Sequence, residues 1–279
     1  MENKGIINTF IPFSSVDGPG NRSVIFMQGC NFNCLNCHNP QTIKLCNSCG
    51  ACIANCPVAS LTKKTEKIAW EPSLCVGCDT CLKTCSFNSS PKTREMTVEE
   101  VIAEIAKSKR FISGITVSGG ECTLQKDFLV DLFKEIKKTN LTIFIDTNGS
   151  IPLWQEESYV NLFDMAMVDL KSIDSQEHIM LTGMDNKTVI ENIRYLAGIN
   201  KLYEVRTVII PQLLDNQRNV DGISKLLASL DSNVRYKLIM YRQHGVREHL
   251  LRAGEVSQEE MSQLKKLAEK NGCQNVVAI

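Results

Sequence analysis

"FMQGCNFNCLNCHNPQTIKLCNSCGACIANCP", from Phe26 to Pro57, carries seven cysteines in two different rhythms. Cys30, Cys34 and Cys37 are separated by three residues and then two. Cys46, Cys49, Cys52 and Cys56 are separated by two, two and three, and Pro57 follows. The second rhythm returns as CVGCDTCLKTCS, with Cys75, Cys78, Cys81 and Cys85. Of 13 cysteines in 279 residues, eleven lie between Cys30 and Cys85. A secreted disulfide framework would normally come with an export signal. The opening MENKGIINTFIPFSSVDGPG has no apolar signal region with a cleavage site. In a reducing compartment, clustered thiols bind metal. The expected location is therefore the cytoplasm. Lys and Arg total 31 and Asp and Glu total 31, so the formal net charge is zero. That balance gives no reason to expect a nucleic-acid partner. No apolar run approaches the roughly 18–20 residues that span a bilayer, so no membrane partner is expected either.

The repeated rhythm is the ferredoxin spacing, in which three close thiolates wrap one cubane and the fourth reaches the other. It assigns Cys46, Cys49, Cys52 and Cys85 to one 4Fe–4S cluster, and Cys75, Cys78, Cys81 and Cys56 to another. Ser86 stands where a proline would complete the second run, which leaves the ligands intact. Structural zinc is the competing reading, since it also uses paired C-x2-C. Zinc ribbons seldom stack three cysteines at this spacing and then repeat them. The triad differs, because three thiolates leave one iron of a cubane without a protein ligand. A closed structural site has no such vacancy. Only Cys122 or Cys273 remains to fill it.

Outside this region apolar runs alternate with amphipathic segments. Strands are expected at Ser23–Cys30, Gly114–Glu121, Thr142–Asn148, Met165–Lys171, Glu204–Pro211 and Arg235–Tyr241, all continuously apolar as buried parallel strands are. Helices are expected at Thr97–Ser108, Lys126–Thr139, Thr188–Ala197, Asn219–Leu230 and Gln258–Lys270. Thr97, followed by Glu100, signals a capped start. The alternation predicts parallel βαβ units and an α/β fold, as a partial barrel or an open sheet. SGGE, DTNG and DLK each close a strand, where the reactive face of barrel-like folds is built. The expected organisation is a main domain of 1–45 and 92–279, interrupted by a two-cluster module of 46–91.

CNFNCLNC matches the C-x3-C-x2-C motif of radical S-adenosylmethionine enzymes. VDGPGNR (Val16–Arg22), QGC, CHNP, SGGE, DTNG and DLK occur in this order in glycyl-radical-enzyme activating enzymes. The chain resembles that family over nearly its whole length, and most of all the YjjW-type activases. The resemblance implies a partial (β/α)6 TIM-like barrel with an inserted ferredoxin-like domain, three 4Fe–4S clusters and S-adenosylmethionine. It also implies an activity. An electron from the open cluster cleaves S-adenosylmethionine, and the resulting 5′-deoxyadenosyl radical takes hydrogen from a glycine of a partner enzyme. The implied partners are a glycyl radical enzyme of the YjjI type and a reductant such as flavodoxin or ferredoxin.

Residue by residue, the resemblance implies that Cys30, Cys34 and Cys37 hold the catalytic cluster. Gly119, Gly120 and Glu121 resemble the segment that binds the methionine amine. Asn36, Cys37 and His38 resemble the adenine-contacting backbone. Asp169, Leu170 and Lys171 resemble a further S-adenosylmethionine contact, with Lys171 on the carboxylate. Arg206 is a second candidate for that carboxylate, or a salt-bridged barrel residue. Asp146, Thr147, Met167 and Asp169 match positions that in one activase branch hold a monovalent cation. Asp17 matches a position that contacts the glycine-bearing loop, or serves only the DGPG turn. Asn36 departs from an aromatic preference, Cys122 stands where proline is common, and Arg242 stands where related activases carry histidine, with His244 two residues on. Two other readings stay open: a radical enzyme acting on a small molecule or another peptide, and a non-catalytic electron carrier built on the ferredoxin module.

Overall fold

The computed structural model describes residues 3–279. The chain divides into two compact units, one of residues up to Asn31 together with Asn39–Leu141, the other of Phe32–His38 together with Thr142–Ile279. The first contains β1 (Lys4–Ser14), β2 (Arg22–Met27), β3 (Leu61–Lys64), β4 (Lys67–Trp70), α1 (Thr80–Thr84), β5 (Arg94–Thr97), α2 (Val98–Ser108), β6 (Gly114–Gly119) and α3 (Lys126–Ile136). Its strands run in the order β5-β1-β2-β6. β1 is antiparallel to both neighbours, and β2 is parallel to β6, with Arg22 opposite Gly114 and Met27 opposite Gly119. Val24, Ile25, Ile115 and Val117 are fully buried, which explains why both parallel strands read as unbroken apolar runs. α2 starts at the expected capping box: Thr97 Oγ1 accepts from Glu100 N, and the Glu100 carboxylate accepts from Thr97 N. Each orphan donor of the first turn that is satisfied this way contributes about 1 kcal/mol.

Residues 46–91 lie inside the first unit and carry their own two-stranded antiparallel sheet, β3–β4. Its small core is Cys52, Leu61 and Cys81, with Trp70 and Ile68 packed against them.

The second unit contains β7 (Thr142–Thr147), α4 (Glu157–Val160), β8 (Met165–Asp169), α5 (Ser175–Thr182), α6 (Lys187–Gly198), β9 (Leu202–Ile209), α7 (Asn216–Leu230), β10 (Arg235–Met240), α8 (Gln258–Lys270) and β11 (Val276–Ala278). Its five strands are ordered β7-β8-β9-β10-β11 and every pair is parallel. The register sets Asp146 beside Met167 and Asp169 beside Arg206. β5 and β11 each pair along one edge only, so neither unit closes a barrel. Among the described residues no helix is long and apolar enough to cross a membrane.

The six expected strands are present, with earlier ends: β6 stops at Gly119, β7 at Thr147 and β8 at Asp169. The polar motifs thus begin on the strand and finish in the loop that leaves it.

Candidate functional site

In the first unit, Cys30 follows β2. Its N–H donates to Ile43 O at 2.8 Å, and Gly29 N–H donates to Thr42 O at 2.8 Å. Buried Gln28 adds two bonds from Nε2 to the carbonyls of Gln41 and Lys44. The chain around Cys30 is therefore fastened on both sides. Gly119 and Gly120 approach the same stretch. A Cβ on Gly119 would sit 2.3 Å from Met27 N, and one on Gly120 would sit 2.1 Å from Gly29 O. No side chain fits at either place, and Gly119 also has φ +112°. Glu121 is fully buried, and its Oε1 accepts from the backbone and hydroxyl of Thr123.

The DGPG loop belongs to this unit too. Buried Arg22 donates to Thr116 Oγ1, to Ile115 O and to Pro19 O, while Thr116 Oγ1 donates to Asp17 O at 2.6 Å. The loop backbone is thus held independently of the Asp17 carboxylate, which accepts from the Ser14 hydroxyl.

In the second unit, Cys34 and Cys37 sit in the 32–38 loop. Asn33 N–H donates to Thr182 O at 2.9 Å and Leu35 N–H to Leu181 O at 2.8 Å, so the end of α5 carries the loop. Arg247 adds bonds to Asn33 Oδ1 at 2.7 Å and to Cys34 O at 2.7 Å. Burial pushes the Cys34 thiol up to about 11, against the pull of the Lys171 ammonium. Burial also opposes the charge of Lys171, but the Asp169 carboxylate beside it raises the pKa. Lys171 Nζ donates to Asp169 Oδ2 at 2.6 Å. A buried thiol beside an ammonium and a carboxylate is where a cationic metal would draw off the sulfur's proton.

Arg206 lies beside this group. Its Nε donates to Glu204 at 2.5 Å, Nη1 to Asp146 at 2.9 Å and Nη2 to Met167 Sδ at 2.9 Å. Leu170 N–H donates to Arg206 O. Asn36 is buried and its Oδ1 accepts no hydrogen bond. His38 is exposed, with Nε2 donating to Arg242 O at 3.0 Å. The second unit therefore brings together Cys34, Cys37, Asp146, Asp169, Lys171 and Arg206. Cys273 does not join them, because its Sγ donates to Ser224 O under α7.

Within 46–91 the cysteines separate into two cavities. One is lined by Cys46, Cys49, Cys52 and Cys85. The other is lined by Cys56, Cys75, Cys78 and Cys81. Among the described residues no three Cys, His, Asp or Glu side chains close to single-ion spacing. A hydrogen bond from Ser60 lowers Cys56 to about 7. Cys75 is lowered by the Gly77 N–H and by Trp70, and Cys78 by Thr80. Such donors stabilise sulfur in its anionic form.

The Radical SAM superfamily model matches residues 24–220, more than half of the chain and both halves of the geometry above. The chain belongs to the radical SAM superfamily. It is similar to the "Pyruvate formate-lyase-activating enzyme" of Streptococcus mutans, at 30% identity over 86% of this chain and 79% of that one. Among solved structures it is similar to a domain of pyruvate-formate lyase-activating enzyme from Bacteroides vulgatus (22% identity, TM-score 0.51, 60% of this chain and 99% of that one). It is also similar to a radical SAM methyltransferase from Sphaerobacter thermophilus (13% identity, TM-score 0.59, 92% and 66%). At these identities the solved structures speak for the fold alone.

Sequence reasoning missed several residues that hold the cysteine loop and the DLK loop. Arg247 reaches the cysteine loop from more than 200 positions away in the chain, with no local pattern to mark it. Asn219 accepts from Ile173 N–H and Asn186 donates to Ser172 O and Ile173 O, fixing the loop after DLK. His178, fully buried on α5, packs edge-on against Phe32 and donates from Nδ1 to Met184 O. Its Nε2 is buried without a partner. Burial lowers its pKa, and Lys171 adds to the effect. The unfolded chain takes up a proton near pH 6.5 while the folded one does not, so stability falls as pH drops below about 6.5. His178→Phe should flatten that part of a urea-midpoint against pH curve. An unchanged slope would assign the acid sensitivity to other groups.

Proposed function

We propose that the chain is a glycyl-radical-enzyme activase of the YjjW type, built as a partial barrel with an inserted two-cluster domain at 46–91. The likeness to a pyruvate formate-lyase-activating enzyme at 30% identity, spread over 86% of the chain, supports the activase class, and the motif order with the cysteine-rich insert supports the type. A 4Fe–4S cluster with one open iron, when bound, supplies the electron that cleaves S-adenosylmethionine to methionine and a 5′-deoxyadenosyl radical. Cys30, Cys34 and Cys37 would hold that cluster. Lys171 and Arg206 would face the methionine carboxylate, and the backbone at Asn36–His38 would receive the adenine. Gly119 and Gly120 would let the methionine amine approach the chain, with Glu121 near it. Close packing around Cys34 would keep water from the radical.

The fit differs between groups. Each four-cysteine cavity has the thiol number of a cubane, and among the described residues no three Cys, His, Asp or Glu side chains are spaced for a single ion. A monovalent cation fits poorly at Asp146 and Met167, since the Arg206 guanidinium already bonds both. The proposed partners are a YjjI-type glycyl radical enzyme and a flavodoxin or ferredoxin reductant, and the proposed location is the cytoplasm.

Anaerobic protein reduced by dithionite with S-adenosylmethionine should release 5′-deoxyadenosine. On addition of a candidate partner with a C-terminal glycine-radical motif, it should generate a glycyl radical signal in EPR. Nucleoside without a glycyl radical would favour a radical enzyme of another substrate class. No nucleoside would leave an electron carrier.

Asp17→Ala separates substrate contact from fold. Thr116 and Arg22 keep the loop backbone in place without the carboxylate. Glycyl-radical formation should fall roughly tenfold to a hundredfold, as for a misplaced reactant. Uncoupled 5′-deoxyadenosine release should persist. Equal loss of both would place Asp17 in the fold or the cofactor site.

A further inference from the structure

Two stretches of the second unit meet, residues 33–38 of the cysteine loop and residues 241–251 after β10. The loop is held on its N–H side by the end of α5, where Thr182 O and Leu181 O accept from Asn33 and Leu35. Its carbonyl side is held by one residue. Arg247 Nη2 donates to Cys34 O at 2.7 Å and to Asn33 O at 3.2 Å, and Nη1 donates to Asn33 Oδ1 at 2.7 Å. At the other end of the loop, His38 Nε2 donates to Arg242 O at 3.0 Å. Gly245, at φ +87°, lies so close that a Cβ there would sit 3.0 Å from His38 O. The clasping stretch is also braced within itself. Gln243 accepts from the Tyr241 hydroxyl and donates to Leu251 O, and the N–H groups of Leu250 and Leu251 donate to Arg247 O.

Arg247 is 8% exposed, its Nε is buried without a partner, and among the described residues no carboxylate pairs with it. A buried cation without a counter-ion costs stability. Its planar fork, however, reaches Asn33 and Cys34 together, which a point-like ammonium does not. Rules of packing are broken in this way where a site needs it. We infer that Arg247 and Gly245 are positioning residues with separate targets. Arg247 fixes the carbonyls beside the Cys34 ligand, and through them the retention of the triad cluster. Gly245 fixes the His38 carbonyl, and through it the backbone proposed to receive adenine. The inference rests on the proposed cluster triad and adenine segment. Each contact named is between protein groups, so the loop should be ordered whether or not iron is bound.

The test uses the full chain, iron-free and after anaerobic reconstitution. A parent protein that takes up no iron and binds no S-adenosylmethionine would defeat the proposed function, and the inference with it. With a loaded parent, the two residues separate. In iron-free Arg247→Ala, the amides of Asn33 and Leu35 should exchange for deuterium about tenfold faster, because the lost hydrogen bonds come from a charged donor. Amides of β9 should keep the parent rate. After reconstitution, the variant should lose the triad cluster to a chelator about tenfold to a hundredfold faster, followed by the EPR signal that S-adenosylmethionine perturbs. Arg247→Lys should stay near the alanine variant, since an ammonium does not span both residues. Gly245→Ala should keep the triad cluster and weaken S-adenosylmethionine about tenfold in equilibrium binding, because a strained Cβ displaces His38 O. It carries the test if the arginine variants fail to fold. Full rescue by lysine would overturn the inference while leaving the proposed function standing. So would parent exchange rates at Asn33 and Leu35, faster exchange throughout β9, or loss of the cluster in Gly245→Ala.

Discussion

Replacing Cys30, Cys34 and Cys37 together by alanine should yield a folded protein with about eight irons in place of about twelve, and no cleavage of S-adenosylmethionine. The fold should survive because backbone bonds, not thiols, hold these segments. Cys30 N–H donates to Ile43 O, Asn33 and Leu35 N–H to the end of α5, and Arg247 to Cys34 O. Removing Cys34 also removes a thiol that burial holds protonated, so no charged partner is stranded when iron is absent. Lys171 keeps Asp169 at 2.6 Å. The loss should therefore fall on chemistry and not on stability. Iron analysis, a thermal melt and chromatography for 5′-deoxyadenosine check the three parts separately. Retained cleavage would sink the assignment of the triad. An unfolded product would give the cysteines a structural role that their backbone contacts do not indicate.

Arg206→Leu should have the opposite signature, a large loss of stability accompanied by loss of S-adenosylmethionine binding. Arg206 is 11% exposed and bonds Glu204, Asp146 and Met167 at once. Glu204, 2% exposed, would keep only Arg235 at 3.0 Å, and half-buried Asp146 would lose a charged donor. Removing one member of a buried charged network costs about 3–5 kcal/mol, because the remaining charge stays desolvated. Arg206→Lys should recover part of the stability and little of the binding. An ammonium restores the charge but cannot present the planar fork that reaches three acceptors. Denaturant unfolding and equilibrium binding measure the two effects. A leucine variant within about 1 kcal/mol of the parent would mean that the network contributes little beyond its own desolvation.

Much of this was legible in the linear chain, for definite reasons. Parallel strands buried on both faces read as apolar runs, so β2, β6, β7, β8, β9 and β10 were visible. Their ends were read one to three residues late, because SGGE and DLK look strand-like until Gly119 turns to positive φ and Leu170 leaves the ladder. β1 escaped detection. Its half-exposed alternation, GIINTFIPFS, lacks the apolar signal of the other strands. β3 and β4 are short and lysine-rich, and gain their partners only inside the insert. α5 escaped as well, since its buried residues are His178, Leu181 and Thr182, a mixed set without an apolar stripe.

The order of the sequence by itself determined the cysteine rhythms, the division of eight cysteines into two sets of four, and the α/β alternation. Each depends on spacing along the chain, and a C-x2-C ligand pair can only be made by neighbours. Only the tertiary structure decided what surrounds those cysteines. Arg247 and α5 carry the Cys34 loop, and Arg206 occupies Asp146 and Met167. These are contacts between residues far apart in sequence. Their strength comes from burial and from fixed dipoles, which no local pattern of residues records.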